Sequence, residues 1–508
     1  MTFSDVDDTH LGVDSSSENY NSLPHVPQEL DMNTVSVVQD DSFTVRQAVN
    51  TFGFGKFQAK LSLFTGLCWM ADSMEMTILS ILTPALHCVW NISRYQQALL
   101  TMVVFVGMMV SSSFWGYVSE QHGRRKALMV CAFLLICCGL ASSLSTSFIW
   151  MFSLRGLVGF TVGCVPQSVN LYAEYLPSKQ RAKCVVLLDC FWALGACFEV
   201  VLALLLMPTH GWNWLLVFST TPIVAFACIC PWLPESAKFY LSKGKTEEAY
   251  SILRTVASEN NKSMLLGRLV LEDSSNEESG NIRDLLLPHL RNISLRLWLI
   301  WATCSFCYYG LVLLSTELLT ISRKSDVSRT DPAASMTEEC VLLDTRDYMD
   351  LLWTTFAEFP GILMTVFVIE KCGHKNTMAM QFGLFSLCCI LLTVFWTQRI
   401  VLIPLLLIAR GVIAGVFQAA YLYTPEVYTS GLRSVGLSTC SVLARLGAVF
   451  TPFISQVLIH SSLTAGITVY TMMAIVAAAT SFLLPCESHT EEPKKNKRKV
   501  EPTLFLVC

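Results

Sequence analysis

The sequence predicts an all-α membrane protein with twelve transmembrane helices in two pseudo-symmetric six-helix halves. Of its 508 residues, 53% are hydrophobic and only 15% are charged, whereas soluble domains carry about 25% charged residues. Apolar runs of about 20 residues, the length that crosses a bilayer core of about 30 Å, recur along the whole chain. One long polar stretch, residues 234–294, divides these runs six and six.

The predicted spans follow the apolar runs in chain order. They cover residues 61–85, 96–118, 127–146, 148–173, 184–207, 212–233, 295–318, 347–369, 377–397, 399–424, 435–459 and 464–485.

The segments between and around the spans differ in charge. Residues 1–50 hold nine acids and one base, which is typical of a disordered tail. We therefore expect five units, namely an acidic disordered tail (1–55), a first half (56–233), a central loop (234–294), a second half (295–485) with an outer loop (319–346), and a basic tail (486–508).

Lysine and arginine set the predicted orientation. The loop after span 2 contains Arg124, Arg125 and Lys126, while the loops after spans 3, 5 and 11 contain no base. Because cytoplasmic loops are enriched in these residues, both termini and the central loop are expected to be cytoplasmic.

The two halves repeat each other. GYVSEQHGRRK (116–126) follows span 2 and VIEKCGHK (368–375) follows span 8, while LRG (154–156) opens span 4 and ARG (409–411) occurs in span 10. Internal repeats of this kind are how many transporters are built.

A second repeat lies after spans 4 and 10. Glu174 precedes Arg181 by seven residues, and Glu426 precedes Arg433 by the same spacing. The sequence PESAKFYLSKGKTEEA (234–249) follows span 6. Together these motifs resemble those of the major facilitator superfamily, in its sugar-transporter and organic-ion-transporter branches.

The resemblance implies alternating access, in which charge networks at the cytoplasmic ends of the helices latch one state. The residues that it assigns to this gating are Gly116, Glu120, Gly123, Arg124, Arg125, Glu174, Arg181, Glu235, Glu370, Gly373, Lys375, Glu426 and Arg433. The second-half motif departs from the family, with His374 where arginine is common and Val366 where glycine would fall. Either this motif is degenerate or it responds to pH.

Polar residues at membrane depth are costly and commonly mark a solute or proton pathway. The predicted pathway residues are Asp72, Glu75, Arg155, Glu199, Glu317, Glu358, Arg410, Arg445, Tyr308 and Tyr309. Asp72 and Glu75 are three residues apart, so they share one helical face.

The resemblance pairs Asp72 with Arg155, since proton-coupled sugar transporters of the superfamily pair a span-1 Asp with a span-4 Arg. Protonation of Asp72 would then release Arg155 and couple a proton to transport. The alternative is a buried salt bridge that serves structure alone.

Arg445 favours an anionic or zwitterionic solute, because a guanidinium binds a carboxylate through two parallel hydrogen bonds. The alternative is that Glu358 or Glu317 holds Arg445 for structural reasons.

The predicted function is secondary active transport of a small organic solute, with the bilayer as the other partner. The alternative is a transporter-like membrane protein that binds a nucleotide or protein without moving a solute; an adenine nucleotide is implied by resemblance only. No HExxH, GxSxG or GxxxxGK[ST] pattern occurs, so no enzyme is expected. We expect no cofactor, metal or nucleic acid, a monomer, and a location in the plasma membrane or a vesicle membrane.

Two features of the predicted outer loops remain open in the sequence. Cys88 and Cys340 both fall near such loops and are candidates for a disulfide, and Asn91 begins a glycosylation sequon in a short loop.

Overall fold

The structure is a computed structural model that describes residues 42–271, 281–330, 343–428 and 432–485. Most of the predicted acidic tail, part of the outer loop and the basic tail lie outside these residues. Cys88 is disulfide-bonded, and Cys340 lies outside the described residues.

The first half is built from eight helices that follow the predicted spans. They are α2 (Lys56–Trp90), α3 (Arg94–His122), α4 (Arg124–Ser143), α5 (Phe148–Val162), α6 (Pro166–Glu174), α7 (Arg181–Leu206), α8 (Trp212–Ser219) and α9 (Thr221–Ile229). Helices α5 and α6 together form one span, Phe148–Glu174.

The second half repeats this plan. It contains α12 (Arg291–Thr330), α13 (Thr345–Phe356), α14 (Glu358–Cys372), α15 (His374–Phe395), α16 (Arg399–Val427), α17 (Arg433–Pro452), a π-helical turn (Phe453–Leu458), α18 (Ile459–Ser461) and α19 (Leu463–Phe482).

Eleven helical segments of the described residues are long and apolar enough to cross a membrane. Helix α2 is not among them, although its 35 residues exceed the required length. It carries Lys56, Lys60, Asp72 and Glu75, and these charges offset its apolar residues. Helix α2 can therefore cross a membrane as a further span only where its acidic side chains are shielded from lipid.

Glycine contacts show the repeat at the level of the backbone. A Cβ atom on Gly107 of α3 would clash with the backbone of Gly156 in α5, and one on Gly361 of α14 would clash with Gly411 in α16. Small residues of this kind let membrane helices pack closely. The RG motifs at 155–156 and 410–411 thus occupy matching places in the two halves.

The predicted tail 1–55 needs a correction at its end, because residues 42–52 are structured. Strand β1 (Ser42–Phe43) pairs in parallel with β2 (Arg268–Leu269). Helix α1 (Val45–Phe52) starts with a capping box in which Thr44 and Gln47 bond each other's backbone. Its buried apolar face packs against the central segment, and this burial outweighs the acidic composition of the tail.

The central segment is likewise partly helical, with α10 (Ala237–Ser242) and α11 (Thr246–Glu259). Asn260 joins it to the first span: its Oδ1 accepts the Phe57 N–H at 3.1 Å, and its Nδ2 donates to Gln58 Oε1 at 2.8 Å. Gln58 in turn donates to the carbonyl of Tyr175 at 3.1 Å. The segment predicted as a loop therefore braces the ends of α2 and α6.

Two names describe the ends of the bundle. The basic end carries Arg124, Arg125 and Lys126, and the Asn91 end carries the turn between α2 and α3. At the Asn91 end the halves share one apolar cluster, in which Leu82 and Leu86 of the first half accompany Leu319 and Leu351 of the second. The halves are therefore joined at the Asn91 end.

Candidate functional site

The two acids of α2 are both buried, but they have different surroundings. Glu75 Oε2 lies 2.7 Å from Arg155 Nη1, and Arg155 is completely buried. The predicted pair of Asp72 with Arg155 is therefore wrong. Glu75 lies about 4.5 Å nearer the Asn91 end than Asp72, and Arg155 is only seven residues from the start of α5 at that end. Glu75 rather than Asp72 therefore lies at the same depth in the bundle as Arg155 and pairs with it.

Asp72 lies where the two halves meet. It is 5% exposed, and its Oδ1 receives no hydrogen bond from the described residues. The cation that acts most strongly on its carboxylate is Arg445, on α17 of the other half. The charges of Asp72 and Arg445 both act electrostatically on the Tyr309 hydroxyl. Asp72 therefore belongs to a site between the halves rather than to a pair within one half.

Asp189 contacts the same helix α2 and is absent from the predicted pathway. The Trp69 indole N–H donates to Asp189 Oδ1 at 2.8 Å. The charge of Asp189 also acts electrostatically on the Tyr421 hydroxyl. Asp189 is a lone acid in the apolar sequence VVLLDCFW. The rule that marks ionisable residues at membrane depth would have identified it.

A hydrogen-bonded chain leads from the first half into the second. The Trp192 indole N–H donates to the Tyr308 hydroxyl at 2.6 Å, and this hydroxyl donates to Glu358 Oε1 at 3.1 Å. Arg410 Nε donates to the same Glu358 oxygen at 2.8 Å. Glu358 is thus engaged by Arg410 and does not hold Arg445.

Glu199 is a further buried acid of α7, and its contact is neutral. The Ser219 hydroxyl donates to Glu199 Oε1 at 2.8 Å, while Oε2 has no hydrogen-bond partner among the described residues. The charges of Glu75 and Arg155 act electrostatically on the Glu199 carboxyl group. The first half therefore holds two carboxyl groups around one guanidinium.

Glu317 of α12 ties the halves together at the Asn91 end. Its Oε1 accepts from Gln97 Nε2 at 2.7 Å, and its Oε2 lies 2.8 Å from His460 Nε2 and 3.6 Å from Arg94 Nη1. Gln97 and Arg94 belong to α3 of the first half. Glu317 is therefore part of a closure between the halves, and like Glu358 it does not hold Arg445.

The π-helical turn adds a second polar contact at this closure. Gln456 donates through Nε2 to Thr83 Oγ1 at 3.0 Å, and its Oε1 accepts from Thr101 Oγ1 at 3.4 Å. Turns of this type occur frequently at functional sites. Here the turn follows Pro452 and directs a C-half amide into the first half.

Two acids of the predicted charge network, Glu235 and Glu174, contact the Arg124–Arg125 segment at the basic end. Glu235 accepts the backbone N–H groups of Arg124, at 2.8 Å, and Arg125, at 3.1 Å. This places a carboxylate at the N-terminus of α4, where the helix dipole favours negative charge. The Arg124 side chain lies 2.7 Å from Glu174. Gly123 has φ +99°, and a Cβ there would clash with Glu235.

Among the described residues, Glu120 forms no ion pair or hydrogen bond with the second half. Glu120 is exposed, and a Cβ on Gly116 would meet no atom within 4 Å. Arg181 is the first residue of α7.

In the second-half motif, His374 contacts Glu426. His374 Nδ1 lies 3.4 Å from Glu426 Oε2, and Lys375 donates to the carbonyl of Leu484 at 2.9 Å. Arg433 Nε donates to the carbonyl of Tyr428 at 3.2 Å. The remaining motif residues, Glu370 and Gly373, lie at the end of α14, where Glu370 is exposed.

Comparison with known proteins agrees with this architecture. A family model described as "Sugar (and other) transporter" matches residues 39–320. The xylose transporter XylE from E. coli, in a partially occluded inward open conformation, aligns with a TM-score of 0.65 at 18% identity, covering 87% of this chain and all of that one. This likeness shows the fold.

Two curated relatives are similar over most of the chain. The Synaptic vesicle 2-related protein of Rattus norvegicus is 50% identical over 451 residues, 88% of this chain and 82% of its own. The Putative transporter SVOPL of Homo sapiens is 32% identical over 461 residues, 89% and 93% of the two chains. The motifs resemble those of the Synaptic vesicle 2-related protein and of SVOPL, and both matches agree with that resemblance.

The matched family model covers more than half of the chain, and the fold and the repeated motifs agree with it. The chain therefore belongs to the sugar (and other) transporter family of the major facilitator superfamily, whose members are multi-pass membrane transporters and not enzymes.

Proposed function

We propose that this protein is a secondary active transporter that moves a small organic solute by alternating access. The observation that carries the proposal is a set of charges where the halves meet, at the cavity that we propose for the solute. There Asp72 has an acceptor without a donor among the described residues, and Arg445 of the second half acts on its carboxylate. Buried charges without protein partners are costly and are retained where a ligand or an ion meets them.

The topology of this proposal has twelve spans with both termini in the cytoplasm. Helix α2 crosses as the first span because Glu75 is neutralised by Arg155 and Asp72 faces the cavity instead of lipid. The basic end then faces the cytoplasm, as the positive-inside rule requires. The protein acts as a monomer in the plasma membrane or, as the name of the rat relative suggests, in a vesicle membrane.

The solute is anionic or zwitterionic, because the second half presents a guanidinium to the cavity. Arg445 is half-buried, and no carboxylate oxygen of the described residues lies within 4.0 Å of it. A solute carboxylate would supply its missing partner.

Proton coupling, where it occurs, uses Glu75. Protonation of Glu75 would break its bond to Arg155, and the nearby Glu199 offers a second acceptor within the same half. The Glu75→Gln variant is expected to bind solute but to lose accumulation driven by a pH gradient. Proton-driven accumulation that survives this substitution would exclude the role.

The test of transport itself is an uptake screen with the full-length protein in liposomes. Organic anions, cations, zwitterions and sugars are offered with and without a pH gradient, beside empty liposomes. We expect saturable uptake or counterflow of at least one class. If a folded sample moves no solute, the alternative of a nucleotide-binding or protein-binding membrane protein becomes the better account.

A further inference from the structure

Three charges where the halves meet form no ion pair with a described residue, and they divide by half. Asp72 on α2 and Asp189 on α7 come from the first half, and Arg445 on α17 comes from the second. Ala448 and Val449, one turn after Arg445 on the same face of α17, pack in the apolar cluster of the first half, so Arg445 faces that half. Of the other acidic pathway residues in the described part of the chain, Glu75 is paired with Arg155, Glu358 with Arg410 and Glu317 with His460, while Glu199 contacts Ser219 within the first half. The site between the halves thus has an acidic wall and a basic wall.

The acidic wall has an unused acceptor. Asp72 is 5% exposed and its Oδ1 receives no hydrogen bond from the described residues, so this oxygen lacks the donor that a buried carboxylate requires. Asp189 has one donor, the Trp69 indole, and retains acceptor capacity. Two carboxylates that need donors are suited to an ammonium group.

Aromatic rings frame the same wall. Trp69 and Trp192 meet edge to face with centroids 5.6 Å apart, and Tyr308 and Tyr309 continue the frame across to the second half. Aromatic faces attract ammonium groups through cation–π interaction. The ring frame therefore adds to the preference of the acidic wall for a cation.

We propose that the solute is a small zwitterion whose ammonium group binds Asp72 and Asp189 and whose carboxylate binds Arg445. The proposal rests on the transport function proposed above and names its substrate class. Because the two binding ends belong to different halves, the bound solute links the halves, and its binding energy favours a state in which they approach each other.

Solutes with one charge fit this cavity less well. An anion would pair with Arg445 but leave the two acids of the opposite wall without donors, and a cation would pair with the acids but leave Arg445 unpaired. Each case keeps a desolvated charge that a zwitterion neutralises.

Matched sets of probes test the proposal directly. One set comprises glycine, β-alanine, 4-aminobutyrate and 6-aminohexanoate, which vary the distance between the charges, with butylamine and butyrate as single-charge controls. The aromatic set comprises phenylalanine, phenethylamine and 3-phenylpropionate. Binding is measured by thermal stabilisation of the full-length protein in detergent, and exchange is then measured by counterflow in liposomes.

We expect at least one zwitterion to bind at least tenfold more tightly than its amine and acid controls, since each lost charged contact costs about a factor of ten. Asp72→Asn should weaken the zwitterion and remove the preference over the acid control. Arg445→Gln should weaken the zwitterion and remove the preference over the amine control. Arg254→Gln, at an exposed position on α11, is the matched control and should leave all three affinities unchanged.

The outcomes separate this proposal from the function on which it rests. A single-charge probe that binds as tightly as every zwitterion overturns the zwitterion proposal, as does transport of an anion, cation or sugar while no zwitterion binds. Equal loss of all probes in both variants also overturns it. Failure of every solute class in the uptake screen overturns the transport function first.

Discussion

Neighbouring carboxylates on one helical face can have opposite roles, and α2 provides the example. Glu75 is paired with a fully buried Arg155, whereas Asp72 has an oxygen without a donor in the described part of the chain. Removing one member of a buried ion pair leaves the other charge uncompensated, while removing an unpaired charge relieves a desolvation cost. The two acids should therefore respond oppositely to neutralisation.

At the residue scale we predict that Glu75→Gln destabilises the folded protein and that Asp72→Asn does not. The expected loss for Glu75→Gln is about 3–5 kcal/mol, because Arg155 keeps its charge without a partner. Unfolding of the purified protein in mixed micelles measures both variants. A larger loss for Asp72→Asn than for Glu75→Gln would contradict the assigned pairing.

At the scale of helices, two positions in α14 and α3 separate packing from gating. Gly361 lies against the backbone of Gly411, and a methyl group there would clash with a carbonyl that belongs to a neighbouring helix. Gly116, in the repeated motif, faces open space in this state. An alanine substitution is therefore expected to disturb helix packing at Gly361 but not at Gly116.

We predict that Gly361→Ala lowers the free energy of unfolding by about 1–3 kcal/mol, the usual cost of overpacking. Gly116→Ala should leave the stability of this state unchanged and should slow transport if, as we propose, the motif latches the other state. Thermal unfolding and liposome counterflow measure the two effects. Equal destabilisation by both substitutions would show that Gly116 is packed here.

At the scale of the whole molecule, the closure at the Asn91 end combines an apolar cluster with two polar contacts. Glu317 binds Gln97 and His460, and Gln456 binds Thr83 and Thr101. The apolar cluster is not directional, whereas each polar contact requires both halves in register. The polar contacts should therefore set how often this end opens.

We predict that Glu317→Gln opens the Asn91 end more often, because the amide loses its charged contacts with His460 and Arg94. Spin labels at Tyr95 and Ile400, exposed residues near that end in the two halves, should show a larger population at long distance. Arg254→Gln, at an exposed position on α11, is the control and should leave this distribution unchanged. An unaltered distribution in Glu317→Gln would mean that the apolar cluster alone holds the end closed.

The sequence by itself determined the helices, the division into halves, the motif repeat and the family, because hydropathy and motif spacing are local properties of the chain. The family and the helical membrane fold are confirmed by the comparisons, while the twelfth span, the orientation and the roles of the site residues remain predictions. Structure within 42–52 and 237–259 was missed because composition does not reveal burial against a distant segment.

Only the tertiary structure decided which charges meet. Glu75 rather than Asp72 reaches Arg155 because the pairing depends on the depth and rotation of α2 against α5, and neither is encoded in the spacing of residues on one helix. For the same reason Glu358 contacts Arg410 and Glu317 contacts His460, while the charge of Arg445 acts on Asp72 of the other half. Contacts between helices are set by packing over the whole bundle, and that packing assembles the cavity.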